Sequence, residues 1–349
     1  MRTLLPLLVA ATLAAGCTET LSADDVALPD DLGAPPDLGA SPDLALLPHC
    51  NATDPRVEPV AVSPTPEAGE APYVDALGRA QRSIRVMVYL MGQGAILDTL
   101  VAKAKAGVTV QVMLDQSQIG TNQKYADTLA AAGAAVAWSD PQFTYMHAKF
   151  FVVDENEAVI STGNYSRTYS ILLERNFVAR DRDPADVADL VALFDADWAR
   201  AQPMIFDCTR LLVSPVNARS RLLDLINSAQ TSLTIESMQF ADWDVRNAVK
   251  ARKLAGVDVR ALLAESSWIS ANADAATFLK ALNIPVRSIP HLHTKVLVAD
   301  GARAYLGSEN FSYTSLTKNR EVGLVVIDPS SVTPLVDTFE KDWAAGTSF

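Results

Sequence analysis

Two histidines are each followed by the same residue types at the same distances. His147 leads to Lys149, Asp154 and Asn164, and His293 leads to Lys295, Asp300 and Asn310. In both runs the lysine lies two residues on, the aspartate seven and the asparagine seventeen. Residues two apart on a strand face the same way, so each imidazole projects beside its ammonium. The apolar stretches 150–153 and 296–298 anchor these strands in a core. A hairpin return then brings Thr162 and Asn164, or Ser308 and Asn310, back beside the His-Lys pair. Cations and hydrogen-bond donors converging on one spot suit the non-bridging oxygens of a phosphodiester. Cleavage through a covalent intermediate needs a nucleophile on one side of phosphorus and a proton donor on the other. One run supplies one imidazole, so the chemistry needs both.

The elements that position these residues are themselves duplicated. The segment AQRSIRVMVYL from Ala80 matches AQTSLTIESMQF from Ala229, and AGVTVQVMLD from Ala106 matches AGVDVRALLA from Ala255. Both pairs lie 149 residues apart and the two histidines 146 apart, a duplication at domain scale. Apolar periodicity predicts the same order in each half. A helix (69–82; 216–230) leads to a strand (83–90; 232–240), a helix (94–106; 244–255) and a strand (108–114; 257–263). A further helix (121–132; 273–282) and a short strand (134–138; 285–289) precede the hairpin carrying the motif. Asp300-Gly301 fits a two-residue turn. The fold class expected is α/β: two similar α/β/α domains about a pseudo-twofold axis, with mixed, mostly parallel sheets and the site at their interface. The domains are placed at 58–207 and 208–349.

The paired His-x-Lys-x4-Asp pattern with its Gly-Ser-x-Asn return resembles the phospholipase D superfamily over roughly residues 58–349. The second copy fits throughout; the first has Ser161-Thr162-Gly163 where Gly-Ser-x is usual. Sequence symmetry leaves open which histidine attacks. The resemblance implies that His147 attacks phosphorus, that His293 protonates the leaving alcohol, and that Lys149, Lys295, Asn164 and Asn310 hold the phosphate, with Thr162 and Ser308 as further donors. It also implies an acid downstream of each motif to orient a histidine. Glu321 fits in the second half, whereas Glu174 and Asn176 both fall near the register in the first. As members of the motif Asp154 and Asp300 stand among the catalytic candidates, although their residue type at a strand end reads as turn and ion-pair chemistry.

Other residues carry less. His291 reads as a bystander or a rim residue, His49 as solvated, and Glu236 as either a cleft carboxylate or a packed one. No His-Glu-x-x-His, Cys-x-x-Cys or carboxylate cluster suggests a metal, and no glycine-rich loop a nucleotide, so no cofactor is expected.

The chain's net charge is −12 over 349 residues. Seven acidic residues and no Lys or Arg lie between Thr18 and Cys50. The remaining body is only mildly acidic, which argues against broad electrostatic binding of nucleic acid. Met1-Arg2, the apolar run Leu4–Ala15 and Leu13-Ala14-Ala15-Gly16-Cys17 resemble a bacterial lipoprotein signal. Residues 1–16 are read as a signal peptide, Cys17 as the lipidated new terminus, and 17–57, rich in Pro, Asp and Ala, as a tether. The expected location is the bacterial outer membrane or periplasm, or outside the cell, where Cys50 and Cys208 are disulfide candidates.

The expected substrate is a phospholipid headgroup ester, favoured by the lipid anchor and an apolar lip at Trp268-Ile269 or Trp243. The alternatives are a nuclease of the same superfamily, with Arg167, Arg175, Lys318 and Arg320 as a phosphate track, and a cardiolipin synthase-like transferase. A monomer is expected.

Overall fold

The computed structural model describes residues 50–201, 206 and 208–349. The expected signal peptide, lipid-anchor Cys17, His49 and most of the tether lie outside the described residues. Two mixed sheets form the body, one per half. The first orders β1-β7-β6-β5-β2-β3-β4, from β1 (Ala61–Thr65), β2 (Ser83–Val88), β3 (Thr109–Leu114), β4 (Ala135–Trp138), β5 (Lys149–Val153), β6 (Glu157–Ser161) and β7 (Asn176–Asp181). The second orders β15-β11-β10-β9-β12-β13-β14-β8, from β8 (Leu212–Ser214), β9 (Ser232–Ser237), β10 (Asp258–Ala264), β11 (Val286–Ile289), β12 (Lys295–Ala299), β13 (Arg303–Gly307), β14 (Glu321–Val326) and β15 (Thr347–Ser348).

The duplication is visible strand by strand. Strands β2-β3-β4 and β9-β10-β11 are parallel, joined by the crossover helices α2 (Ala95–Lys105), α3 (Ile119–Ala131), α6 (Trp243–Leu254) and α7 (Ala271–Ala281). All other pairings between these strands are antiparallel, so the parallel share is smaller than the helix–strand alternation implied. The reason is the motif hairpin: the short turns after β5 and β12 permit only antiparallel neighbours, and β7 and β14 then return antiparallel beside β6 and β13 after longer connections.

Both hairpin turns use two residues with positive φ, Asp154 (51°) with Glu155 (60°) and Asp300 (57°) with Gly301 (64°), matching the twist of the flanking strands. The two aspartates stand at the far end of β5 and β12 from the histidines. The Asp154 carboxylate accepts the backbone N–H of Gln81, Arg82 and Ser83; Asp300 accepts those of Gln230, Thr231 and Ser232. Each thus ties its hairpin to the start of β2 or β9. They are structural residues outside the reaction centre, and their place among the catalytic candidates is corrected accordingly.

Three apolar cores fill the body. Side chains of α1 (Ala71–Gly78), α2 and α3 cover the outer face of the first sheet. Those of α5 (Ala218–Ser228), α6 and α7 cover the outer face of the second. Between the sheets, Phe150, Val152, Ile160 and Phe177 meet Val296, Val298, Leu306 and Leu324, with α4 (Pro184–Trp198) and α9 (Pro329–Ala345) completing the layer. This shared core packs β5 against β14 and β6 against β13, so both histidines emerge at the same end of the molecule.

Cys50 and Cys208 are disulfide-bonded across 158 positions of sequence. Within the segment read as a tether, Arg56 is buried against Asp181 and Asp186 and donates to the Val325 carbonyl. Residues 50–57 are therefore part of the body. Among the described residues no helix is long and apolar enough to cross a membrane.

Candidate active site

His147 and Lys149 lead into β5, and His293 and Lys295 into β12; all four are at least 97% buried. The loops before the two strands are stitched across the halves. His147 and Ala148 donate their N–H to the Arg320 carbonyl (2.8 and 3.0 Å), while His293 donates to the Arg175 carbonyl (3.1 Å). The residue after each of these carbonyls belongs to the other half and orients the histidine. His147 Nδ1 lies 2.8 Å from Glu321 Oε2, and His293 Nδ1 lies 2.9 Å from Asn176 Oδ1.

Hairpin pairing resolves the ambiguous register of the first half. Thr162 N–H donates to the Phe177 carbonyl as Ser308 N–H donates to that of Val322, so Asn176 stands where Glu321 stands in the second half. Glu174 is further off, with Oε2 3.7 Å from His293 Nδ1. Gly163 follows from this placement: a Cβ there would meet the Asn176 amide at 2.7 Å. Gly163 stands at the variable position of the pattern; the departure is Ser161, whose hydroxyl lies 2.7 Å from Tyr73 Oη, and Thr162.

The two histidines differ in charge environment. Glu321 is fully buried, which pushes its carboxyl up. His147, a hydrogen bond from it, Lys149 and Asn319 outweigh burial and hold it below the usual carboxylate range. Ser315 Oγ and Asn319 Nδ2 donate to its other oxygen at 2.6 and 2.9 Å. An ionised Glu321 fixes the proton on His147 Nδ1 and leaves Nε2 with its lone pair. Asn176 is held differently: its Nδ2 donates to the Ser170 carbonyl (2.9 Å), so Oδ1 is the acceptor and His293 also carries its proton on Nδ1. Burial, then Lys295, Lys149 and His147, push His293 well below the usual imidazole range. His147 and Lys149 of one half thus act electrostatically on His293 of the other.

Around this pair, Lys149 Nζ donates to the His147 carbonyl (2.5 Å), and Lys295 Nζ to those of His293 (2.6 Å) and Thr162 (3.4 Å). Among the described residues, the buried amide oxygens of Asn164 and Asn310 have no hydrogen-bond partner. Thr162 is committed elsewhere: its hydroxyl donates to Asn176 Oδ1 (2.8 Å) and accepts from Phe177 N–H (2.9 Å). Ser308 Oγ accepts from Val322 N–H (3.0 Å). The Thr162 hydroxyl thus braces the strand carrying Asn176 rather than reaching for phosphate, a correction to its expected part, whereas Ser308 spends only a lone pair on Val322.

Arg175 pairs with Glu67 and Asp342, and Arg320 is buried against Asp197, its guanidinium 4.3 Å from the Phe143 ring. Neither can belong to a phosphate track; Arg167 and Lys318 remain at the surface. His291 is exposed at the rim, its ring 6.3 Å from that of Trp268. Trp268 also lies 6.2 Å from the His293 ring, while Ile269 is buried and forms no lip. Glu236 is buried under the site, its carboxyl pushed far up by burial and by Asp342.

Two residues escaped the sequence reading. The Tyr89 ring packs edge-on to His147 at 4.7 Å; its position at the end of the repeated first strand was the available signal. Glu309, the variable residue inside Gly-Ser-x-Asn, is fully buried and accepts from Tyr305 Oη at 2.6 Å. Burial and then Glu321 push its carboxyl up to about 8. No sequence signal distinguished it from a surface residue. A separate surface cavity of about 550 Å3, lined by Arg79, Arg82, Asp154, Glu157 and Arg182 among others, lies at the opposite end of β5 and shares no residue with the histidine site.

A two-sheet α/β body with a histidine pair shared between repeats defines a class of enzymes acting on phosphodiester bonds. The family profile described as "Cardiolipin synthase, PLD-like domain" matches twice, over residues 73–198 and 222–343. The chain belongs to this phospholipase D-like family. It is 24% identical over 321 residues to a cardiolipin synthase of Clostridium perfringens, covering 77% of this chain and 67% of that protein. It is 29% identical over 130 residues to the mitochondrial cardiolipin hydrolase of Danio rerio, covering 36% and 57%. The chain therefore spans about two thirds of the length of the bacterial relative. The fold is similar to that of the phosphatidylserine synthase of Haemophilus influenzae Rd KW20, with a TM-score of 0.66 at 13% identity over 86% of this chain and 88% of that one.

Proposed function

We propose that this protein exchanges the alcohol of a phospholipid phosphodiester in two steps through a phosphohistidine. His293 first takes a second proton, on Nε2, from solvent as the anionic phosphodiester settles beside Lys149 and Lys295; His147 Nε2 then attacks phosphorus, and the departing alkoxide takes that Nε2 proton. An incoming alcohol then loses its proton to His293 and attacks phosphorus, and His147 departs with its lone pair restored. Lys149, Lys295, Asn164 and Asn310 hold the non-bridging oxygens. An alcohol acceptor gives transfer and water gives hydrolysis. The matches to cardiolipin synthases favour transfer over the hydrolysis expected from sequence.

The observation that carries this reading is the crossed orientation of the histidines, His147 by Glu321 and His293 by Asn176. The internal pairing of Arg175 and Arg320 weakens the nuclease alternative. We further propose export with a lipid anchor at Cys17, supported by the Leu-Ala-Ala-Gly-Cys run and the Cys50–Cys208 bond. The test offers the full chain phosphatidylcholine, phosphatidylethanolamine, phosphatidylglycerol, cardiolipin and single-stranded DNA, with and without an added primary alcohol. A phosphatidyl alcohol that outweighs phosphatidic acid is expected. Cleaved DNA with every lipid intact would overturn the proposal.

A further inference from the structure

Large apolar side chains left in solvent are not spread evenly over the molecule. Nine are exposed among the described residues. Two lie away from the histidines: Val57, ahead of the far end of β1, and Leu254, at the close of α6. The other seven stand at the histidine end. Tyr169 (58% exposed), Leu172 and Leu173 lie in the segment between Asn164 and its partner-half orienter Asn176. Tyr313 (54%) opens α8 (Tyr313–Thr317) in the equivalent segment between Asn310 and Glu321. Trp243 (62%) opens α6 just after Ala241 and Asp242, whose N–H groups donate to the Phe311 carbonyl beside Asn310. Ile119 and Val216 follow the ends of β3 and β8 on the same side.

Cations accompany these side chains. Arg219 and Lys318 lie 5.5 and 5.3 Å from the Tyr313 ring, and Arg246 lies 5.1 Å from the Trp243 ring. Arg167, more than half exposed beside Tyr169, is ion-paired with Glu70, and Arg219 is ion-paired with Asp242 and the exposed Asp244. Aromatic rings with cations at their faces and bare leucines beside them suit the level of a bilayer where headgroups meet acyl chains. A folded protein seated on both flanks would cover the entrance to the histidines. A bilayer instead presents a phosphodiester there. This step rests on the phospholipid reading above.

We infer that the histidine end of the molecule docks on a phospholipid bilayer, with Tyr169, Leu172 and Leu173 on one flank of the site and Trp243 and Tyr313 on the other entering the interface. The test uses the full chain carrying Cys17→Ser, so that no acyl group at that position contributes. It is floated with vesicles of phosphatidylcholine alone and with vesicles containing phosphatidylglycerol. The parent is expected to float with both, more so with the anionic vesicles. Adding Leu172→Ser, Leu173→Ser and Trp243→Ser should lower partitioning at least about tenfold. The melting temperature and the turnover of a soluble short-chain phosphodiester should stay unchanged. Val57→Ser with Leu254→Ser, at the opposite end, should float like the parent. A parent that floats with neither vesicle, or a triple variant that floats as well as the parent, overturns the inference. So does a triple variant that loses soluble turnover, or one that converts a dimer to a monomer on gel filtration. A parent that floats as described yet turns over no phospholipid supports docking and sinks the substrate reading alone.

Discussion

The two halves of this protein share a fold and a motif yet hold their histidines against different partners. His147 faces a buried, ionised Glu321, whereas His293 faces the neutral amide of Asn176, with Glu174 at 3.7 Å. A carboxylate stabilises the positive charge that builds on an imidazole as it bonds to phosphorus, which suits a nucleophile. An amide fixes the tautomer without adding charge. It leaves the proton of His293 easier to give away, which suits a general acid. The asymmetry supports the order proposed above, on which the motif's own symmetry is silent.

The largest test of this difference removes each imidazole in turn. His147→Ala should lower turnover of bis(p-nitrophenyl) phosphate by at least about a thousandfold, with no burst. His293→Ala should lose a similar factor in steady state yet release close to one equivalent of nitrophenol in a burst, because an aryl leaving group needs no acid. The protein should then carry phosphate on His147, seen by mass spectrometry. A burst from the His147 variant would reverse the assignment.

Exchanging the partners is the next test. Glu321→Gln should slow the chemical step about a hundredfold. Asn176→Asp should change kcat by less than about tenfold while moving the alkaline limb of the pH profile upward, because an added carboxylate holds the proton on His293. Equal losses from both would mean that the two partners do the same work.

Glu309 offers a smaller effect with a defined pH dependence. Its carboxyl is pushed up to about 8 from 4.5. Between those values the folded chain keeps a proton that the unfolded chain has lost, so stability falls as pH rises and levels off above the folded value. Glu309→Gln removes this dependence. Urea unfolding should show a gain that is absent near pH 4, grows through neutrality and saturates near pH 8 at a few kcal/mol. A gain independent of pH would show that Glu309 is ionised in the folded protein.

The smallest effects belong to the hairpin aspartates, where the halves behave alike. Asp154→Ala and Asp300→Ala each orphan backbone N–H groups at a strand start and should each cost about 2 kcal/mol of stability, read from denaturant midpoints, with kcat nearly unchanged. Asp300 is held down to about 2 despite burial, by the N–H groups of Thr231, Gln230 and Ser232 and by the Thr231 hydroxyl. Its contribution is therefore present above the unfolded value of 3.8 and is lost as pH falls toward 2.

The strand–helix order was legible because each element is short, apolar on one face and repeated. The helix expected at 94–106 runs Ala95–Lys105, and the strand expected at 257–263 runs Asp258–Ala264. The His-Lys spacing was legible because a strand fixes it locally. The partner of His293 was not, since choosing Asn176 over Glu174 depends on the pairing of β6 with β7, which no local pattern sets. The crossing of orienters between halves lies further out of reach, because it arises only when Arg175 and Arg320 dock their carbonyls on the opposite loops. Glu309 hid for the opposite reason. A charged residue in a variable position reads as surface, and only the fold buries it beside Tyr305 and Glu321.

The bond between Cys50 and Cys208 closes a covalent ring around the entire first sheet and its helices. A protease that nicks this ring once opens it without releasing a piece, so the cut chain stays a single covalent body. It should run as one band in a gel without reductant and as two with it, and the first-half histidine should stay fastened to its partners while the wound is open.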